Sequence, residues 1–122
     1  MIAVIFEVKL NDEHQDAYLS MAETLKQHLS QIEGFISIER FASLTEKGKL
    51  LSLSYWRDEM AVTQWRTLEE HRKAQDAGRK SIFQDYRLRV ATVIRDYGLH
   101  ERTSAPGDSK LFHSPMLGDR LD

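Results

Sequence analysis

Apolar and polar positions follow strand-like and helix-like patterns along the first half of the chain. Residues 2–9 form an apolar, β-branched run with both faces apolar at its start, which is typical of a strand buried on both sides. A helix over about residues 12–32 is predicted next, because apolar residues recur at helical spacing. These residues are Tyr18, Met21, Ala22, Leu25, Leu29 and Ile32. Asn11 or Asp12 is suited to cap this helix, and Gly34 to end it.

The second half repeats this arrangement. Residues 35–43 and 49–56 are predicted strands joined by a polar turn that ends in glycine, which indicates a hairpin. A second helix begins after Asp58 and continues to about Gly78, and residues 86–97 form the fourth predicted strand. The order βαββαβ predicts an α+β, ferredoxin-like fold, a four-stranded antiparallel sheet with both helices on one face.

The uncovered face of this sheet predicts self-association. The helices cover one face, whereas the strands carry apolar residues on both, so a monomer would expose an unusually large apolar surface. We therefore expect a homodimer in which the sheet faces meet. Charged residues in the middle of a strand also need partners. Arg87 and Arg89 of the fourth strand are predicted to pair with Glu39 of the second strand across the sheet.

Length and composition favour one domain, over residues 1–98, followed by a tail over residues 99–122. The tail begins with a linker-like segment and is expected to be disordered or packed on the partner subunit, with Phe112 as its anchor. The net charge of -2 argues against nucleic-acid binding, and the lack of cysteine excludes disulfides and thiolate metal sites. Without a membrane span, signal peptide or metal-ligand spacing, we expect a cytoplasmic protein that binds neither membrane nor metal.

Two tryptophans and a histidine between residues 56 and 71 suggest a small-molecule pocket between the sheet and the helices. Trp65 and His71 lie on the second predicted helix, and Trp56 ends the strand before it. Each has a structural alternative: Trp65 as core, Trp56 as packing at the sheet edge and His71 as a partly exposed helix residue. Tyr55 and Tyr86 are candidate hydroxyl donors, although a buried tyrosine often only anchors a core.

Six segments carry a family resemblance: Met1 to Val8, Gly34-Phe35, Leu51 to Trp56, Ala61 to Trp65, His71-Arg72 and the predicted strand 86–97. Together they resemble the antibiotic-biosynthesis-monooxygenase-like domain of the dimeric α/β-barrel superfamily. The resemblance implies a dimeric α/β barrel. It also implies a cofactor-independent monooxygenase, in which a flat phenolic or quinone-like molecule is deprotonated in a dry pocket and reacts directly with dioxygen.

The resemblance also assigns roles to residues. We expect His71 to act as base or donor, Trp65 as a wall of the catalytic pocket and Tyr55 as a hydrogen-bond donor. Four further residues are expected to contact a hydrophobic or aromatic substrate: Phe41, Tyr86, Arg72 and Gln75.

Heme chemistry, which other members of the superfamily perform, is not expected. Those members combine an asparagine on the first strand, a tryptophan on the second helix and a heme-ligating histidine ten residues later. Trp65 fits this pattern, but Gln75 stands at the histidine position, and the first strand offers Glu7 and Val8 in place of asparagine. The alternative to an enzyme is a non-catalytic, small-molecule-binding dimer in which the aromatic residues only shape a cavity.

Overall fold

The computed structural model of the protein describes residues 1–75 and 82–112, with the side chains of residues 1–68 and 82–111. The elements are β1 (Ile2–Leu10), a 3-10 turn (Asp12–His14), α1 (Gln15–Leu29), β2 (Phe35–Ala42), β3 (Lys49–Trp56), α2 (Glu59–Gln75), β4 (Phe83–Thr92) and α3 (Gly107–Phe112). The strands form one antiparallel sheet in the order β2-β3-β1-β4. This arrangement confirms the predicted α+β, ferredoxin-like fold.

The bounds of β4 differ from the prediction of residues 86–97. The strand begins earlier, because Phe83 already pairs with Leu10 of β1. It ends earlier because Thr92 pairs with Ile2, the first residue of β1, so β1 offers no ladder partner beyond that point. The end of β4 is thus set by its neighbour in the sheet and not by its own residues.

Both helices contribute to a core on one side of the sheet, here called the helix side. The core consists of two clusters of buried residues. The first cluster contains Ile2, Val4, Leu29, Trp56, Ala61 and Val62, and the second contains Val8, Leu10, Tyr18, Leu50 and Ile82. Since alternate residues of a strand point to opposite sides of the sheet, the even-numbered residues of β1 and β3 face the helix side.

The other side of the sheet, here called the far side, has an apolar centre with charges around it. Ile5, Leu51, Leu53 and Tyr55 are half-buried there. The predicted pairing of Glu39 with Arg87 or Arg89 within the chain is wrong, because β2 and β4 form opposite edges of the sheet. Instead, Glu7 of β1 contacts both the Arg89 guanidinium and the Lys49 ammonium at 3.5 Å.

The chain divides into two compact units, Met1–Thr92 and Val93–Asp122. The second unit is organised around Arg102, which donates to the Gly98 carbonyl (3.2 Å) and to Ser109 Oγ (2.6 Å). Its guanidinium also lies 5.4 Å from the ring centre of Tyr97. Helix α3 in this unit was not predicted, because the sequence shows no apolar periodicity there. The proposed anchor, the Phe112 side chain, lies outside the described residues, and its contact with a partner stays a prediction.

None of the helices in the described part of the chain has the length and apolar character needed to cross a membrane.

Candidate functional site

Helix α2 is fixed at its start by a capped turn that follows β3 directly. Asp58 accepts a hydrogen bond from the backbone N–H of Ala61 at 3.0 Å, which is the bond an N-cap residue makes. That bond, and the neighbouring Arg57 guanidinium at 3.1 Å, lower the pKa of Asp58. The carbonyl of Gly34 accepts the N–H of Arg57 at 2.7 Å and joins this turn to the end of the first βα segment. These two hydrogen bonds fix the position at which α2 begins.

Helix α2 brings the Trp65 ring into contact with the Trp56 ring. Trp56 ends β3, is fully buried and donates its Nε1–H to Ser54 Oγ at 2.9 Å. Its ring centre lies 5.9 Å from that of Trp65 and 5.1 Å from that of Phe35, within the range of favourable aromatic contacts. The Trp56 indole is therefore packed between two aromatic rings, and its N–H has an acceptor.

The Trp65 indole differs from that of Trp56 in one respect. Its Nε1 atom is buried but has no acceptor among the described residues. The same holds for Nε of Arg40, which lies on the helix side of β2 next to Ser52 of β3. A buried donor without an acceptor costs about 1–3 kcal/mol. Both groups are therefore donors that the described side chains leave unused.

An exposed apolar row runs along β4 on the helix side. Tyr86, Leu88 and Val90, here called the β4 floor, are 57%, 41% and 46% exposed. By contrast, Val8 and Val4, the β1 partners of Tyr86 and Val90, are buried. Three such side chains together form a surface that water solvates poorly. The β4 floor thus offers contact area to an apolar or aromatic ligand.

Aromatic side chains continue the β4 floor at its Tyr86 end. The Tyr86 ring centre lies 5.7 Å from that of Phe6 and 6.1 Å from that of Phe83. Phe83 in turn contacts the buried Tyr18 ring at 5.9 Å. Tyr86 is therefore anchored by its ring while more than half of its surface is exposed.

The sheet separates the predicted site residues into two groups. Trp65 packs on the helix side, against the cluster that contains Val4, and Tyr86 belongs to the β4 floor on the same side. Tyr55 and Phe41 lie on the far side, because their register partners there are Ala3 and Leu51. A single pocket between sheet and helices therefore cannot contain all four residues, because Trp65 and Tyr86 lie on the helix side and Tyr55 and Phe41 on the far side.

Three predicted site residues are on the second half of α2. His71, Arg72 and Gln75 fall within the helix Glu59–Gln75, but their side chains lie outside the described residues. Their roles remain predictions.

Phe41 lines a shallow depression of about 200 Å³ on the far side. The other lining residues are Glu7, Ala42, Ser43, Lys49, Leu50 and Leu51. Two of the lining residues, Glu7 and Lys49, form an ion pair, so the depression combines apolar side chains with neutralised charge. Within the described ranges, no three His, Asp or Glu side chains are grouped so as to hold a metal ion.

Sequence reasoning missed several residues of the helix side. Ser54 was considered only as part of a strand, although its spacing of two from Trp56 places both side chains on one face and allows their hydrogen bond. Leu88 and Val90 were assigned to the strand pattern, and nothing in that pattern indicates that they are exposed. Their exposure depends on which elements pack over the strand, which its own residues do not indicate.

Comparison with known proteins adds independent evidence. The sequence model described as antibiotic biosynthesis monooxygenase matches residues 1–77. The chain is 45% identical over 93 residues to the jasmonate monooxygenase ABM of Pyricularia oryzae, covering 76% of this chain and 43% of that protein. It therefore spans less than half the length of that relative. It is also 30% identical over 102 residues to the uncharacterized protein YqjZ of Bacillus subtilis, covering 84% of this chain and 87% of that protein.

Solved structures show the same fold. Rv0793 from Mycobacterium tuberculosis superposes with a TM-score of 0.67 at 15% identity, covering 80% of this chain and 98% of that one. A crystal structure of an antibiotic biosynthesis monooxygenase superposes with a TM-score of 0.64 at 17% identity, covering 78% of this chain and 100% of that one. With the capped α2, the paired tryptophans and the ferredoxin-like sheet in place, the sequence match over residues 1–77 decides the assignment: this chain belongs to the antibiotic biosynthesis monooxygenase family.

Proposed function

We propose that the protein is a monooxygenase whose substrate binds on the helix side, between Trp65 and the β4 floor. The observation that carries the proposal is the buried Nε1–H of Trp65, which has no acceptor among the described residues. The exposed row Tyr86, Leu88 and Val90 on the same side supports it. Together they provide a donor for a substrate oxygen and an apolar surface for the substrate body.

The proposed substrate is a flat phenolic or quinone-like molecule, and the proposed reaction needs no cofactor. A base, for which His71 is our candidate, removes a proton from the substrate hydroxyl. The Trp65 N–H then stabilises the negative charge on the substrate oxygen, an interaction that strengthens in a site shielded from water. The electron-rich substrate then supplies all four electrons that dioxygen takes up. It loses two hydrogen atoms and gains one oxygen atom, and the other oxygen atom leaves with those two hydrogens as water.

The name of the Pyricularia oryzae relative supports the reaction class and broadens the substrates that deserve testing. Jasmonate is a small ketone that carries a carboxylate, and it is not a phenol. Its oxygen atoms would still accept a hydrogen bond from Trp65. The substrate panel should therefore contain quinols, anthrones and jasmonate.

We further propose that the protein is a homodimer formed through the far side of the sheet. The half-buried Ile5, Leu51, Leu53 and Tyr55, with Phe41 beside them at 42% exposure, form a patch that a partner would remove from water. Association on the far side leaves the helix side free for chemistry.

The substitution Trp65→Phe tests the proposed function. It keeps an aromatic ring but removes the N–H, and loss of one such donor lowers kcat by about 100-fold or more. Oxygen uptake with the substrate panel, after treatment with a chelator, is the measurement. The matched control is Gln64→Ala, the exposed neighbour on α2, which should leave uptake unchanged.

Two results would contradict the proposal. Undiminished uptake by Trp65→Phe would place the chemistry elsewhere in the protein. Saturable binding of the same molecules, without any oxygen uptake by the unaltered protein, would favour the non-catalytic binding dimer.

A further inference from the structure

The far side carries opposite charges at its two edges, in the same row across the sheet. The row runs from Glu39 on β2 through Leu53 and Ile5 to Arg89 on β4. Neighbouring strands are about 4.8 Å apart, so three spacings put Glu39 and Arg89 of one chain about 14 Å apart. A direct ion pair between them within one chain is therefore impossible.

The two edges differ in how well their charges are compensated. Glu39 is exposed and forms no ion pair with any of the described residues. At the other edge, Arg89 shares the Glu7 carboxylate with Lys49, and Arg87 adds a second guanidinium one row further along. The β2 edge is thus negative and the β4 edge positive, with the apolar Leu53 and Ile5 between them.

We propose that this charge pattern sets the orientation of the homodimer: Glu39 of each copy pairs with Arg89 of the partner subunit. The inference rests on the far-side dimer proposed above. In a two-fold interface each contact occurs twice, so residue i meets j and j meets i. A two-fold axis parallel to the strands exchanges the left and right edges and keeps the height along the strand. It therefore places the β4 edge of one copy against the β2 edge of the other.

The alternative orientation is electrostatically unfavourable. A two-fold axis that runs across the strands would place Glu39 near Glu39 and arginine near arginine. Juxtaposed like charges at an interface disfavour wrong arrangements strongly. Apolar contact is not directional, so the charged edges are what discriminates between the two orientations.

Charge reversal tests this inference. In a Glu39→Lys homodimer, lysine would face arginine at both contacts, and in an Arg89→Glu homodimer, glutamate would face Glu39 at both. Each variant alone should dissociate on the order of 100-fold more readily than the unaltered protein. An equimolar mixture restores opposite charges at both contacts and should therefore recover dimers. Sedimentation velocity over a concentration series measures all three samples.

A matched control separates the ion pair from a general effect of charge. Glu23→Lys makes the same charge change at an exposed position on α1 and should keep the dissociation constant of the unaltered protein. Arg89→Glu also removes the contact with Glu7, but such a defect within one chain cannot be repaired by mixing with a second variant.

Each outcome has a definite meaning. Dissociation of both variants with recovery on mixing supports the ion pair and the orientation. An unchanged dissociation constant for Glu39→Lys, or no recovery on mixing, overturns the inference while the dimer itself stands. A monomeric unaltered protein overturns the dimer and the ion pair together, whereas the oxygenase proposal is judged separately by oxygen uptake.

Discussion

Ser54 is the residue that lets a tryptophan be fully buried at the end of β3. Its Oγ accepts the Nε1–H of Trp56, whose side chain is 0% exposed. Without this acceptor the buried indole N–H would have no hydrogen-bond partner among the described residues.

Ser54→Ala is therefore expected to destabilise the protein by about 1–3 kcal/mol, the cost of leaving a buried donor without a partner. Urea denaturation followed by circular dichroism measures the free energy of unfolding. Ser52→Ala is the control, because Ser52 is also buried on the helix side of β3 but does not receive the Trp56 bond. Equal losses for the two variants would show that the hydrogen bond has no special weight.

At the scale of elements, Gly34 connects the end of the first βα segment to the start of α2. Its φ is +94°, which L-residues with a side chain rarely adopt, and an added Cβ would lie 2.8 Å from Cβ of Ala61. Gly34→Ala should cost about 1–2 kcal/mol from the backbone alone, and more from the close contact. Thermal unfolding measures the loss. Gly107→Ala, where an added Cβ meets nothing within 4 Å, should leave the melting temperature nearly unchanged.

The cap of α2 gives the stability of the protein a defined dependence on pH. The Ala61 N–H and the Arg57 guanidinium lower the pKa of Asp58 below its ordinary value of 3.8. The ionised carboxylate therefore stabilises the fold above that value, and the contribution disappears as pH falls through the lower, folded-state pKa. The melting temperature of the unaltered protein should exceed that of Asp58→Asn by a few degrees at pH 7.

That difference should begin to shrink as the pH falls below 3.8, where the unfolded protein takes up the proton. It should reach zero only below the lower, folded-state pKa, where the carboxyl is protonated in both the folded and the unfolded protein. A difference that stays constant down to the lowest pH at which the fold survives would contradict a role for the charge. Asn keeps a side-chain oxygen that can cap the helix, so the comparison isolates the charge from the hydrogen bond.

The number and type of the helices and strands could be predicted from the sequence. The residues at which strands end, and the side of the sheet on which a given side chain lies, could not. Helical periodicity and β-branched runs identified both long helices and all four strands. The end of β4 depends on where β1 begins, at Ile2, and local pattern carries no information about that. Tyr55 and Phe41 were assigned to the wrong side of the sheet, because strands that are apolar on both faces do not reveal which face packs on the helices.

For the whole molecule, the two sides of the sheet suit different tasks. The helix side holds buried donors at Trp65 and Arg40 and the exposed β4 floor, which suit ligand binding. The far side has an apolar centre between a negative and a positive edge, which suits a second copy. Substitutions on the helix side should therefore change turnover and leave association unchanged, and substitutions on the far side should do the reverse. Measuring turnover and association for each variant tests this division.

The packing of Trp56 against Trp65 also determines how the protein can be observed. These are the only 2 tryptophans of the 122-residue chain, and their ring centres are 5.9 Å apart with planes inclined by 46°. Essentially all of the indole emission therefore originates at the proposed site, and the two rings are close enough for their optical transitions to couple. Ligand titrations can consequently be followed by fluorescence and ultraviolet circular dichroism of the unlabelled protein, before any turnover assay exists.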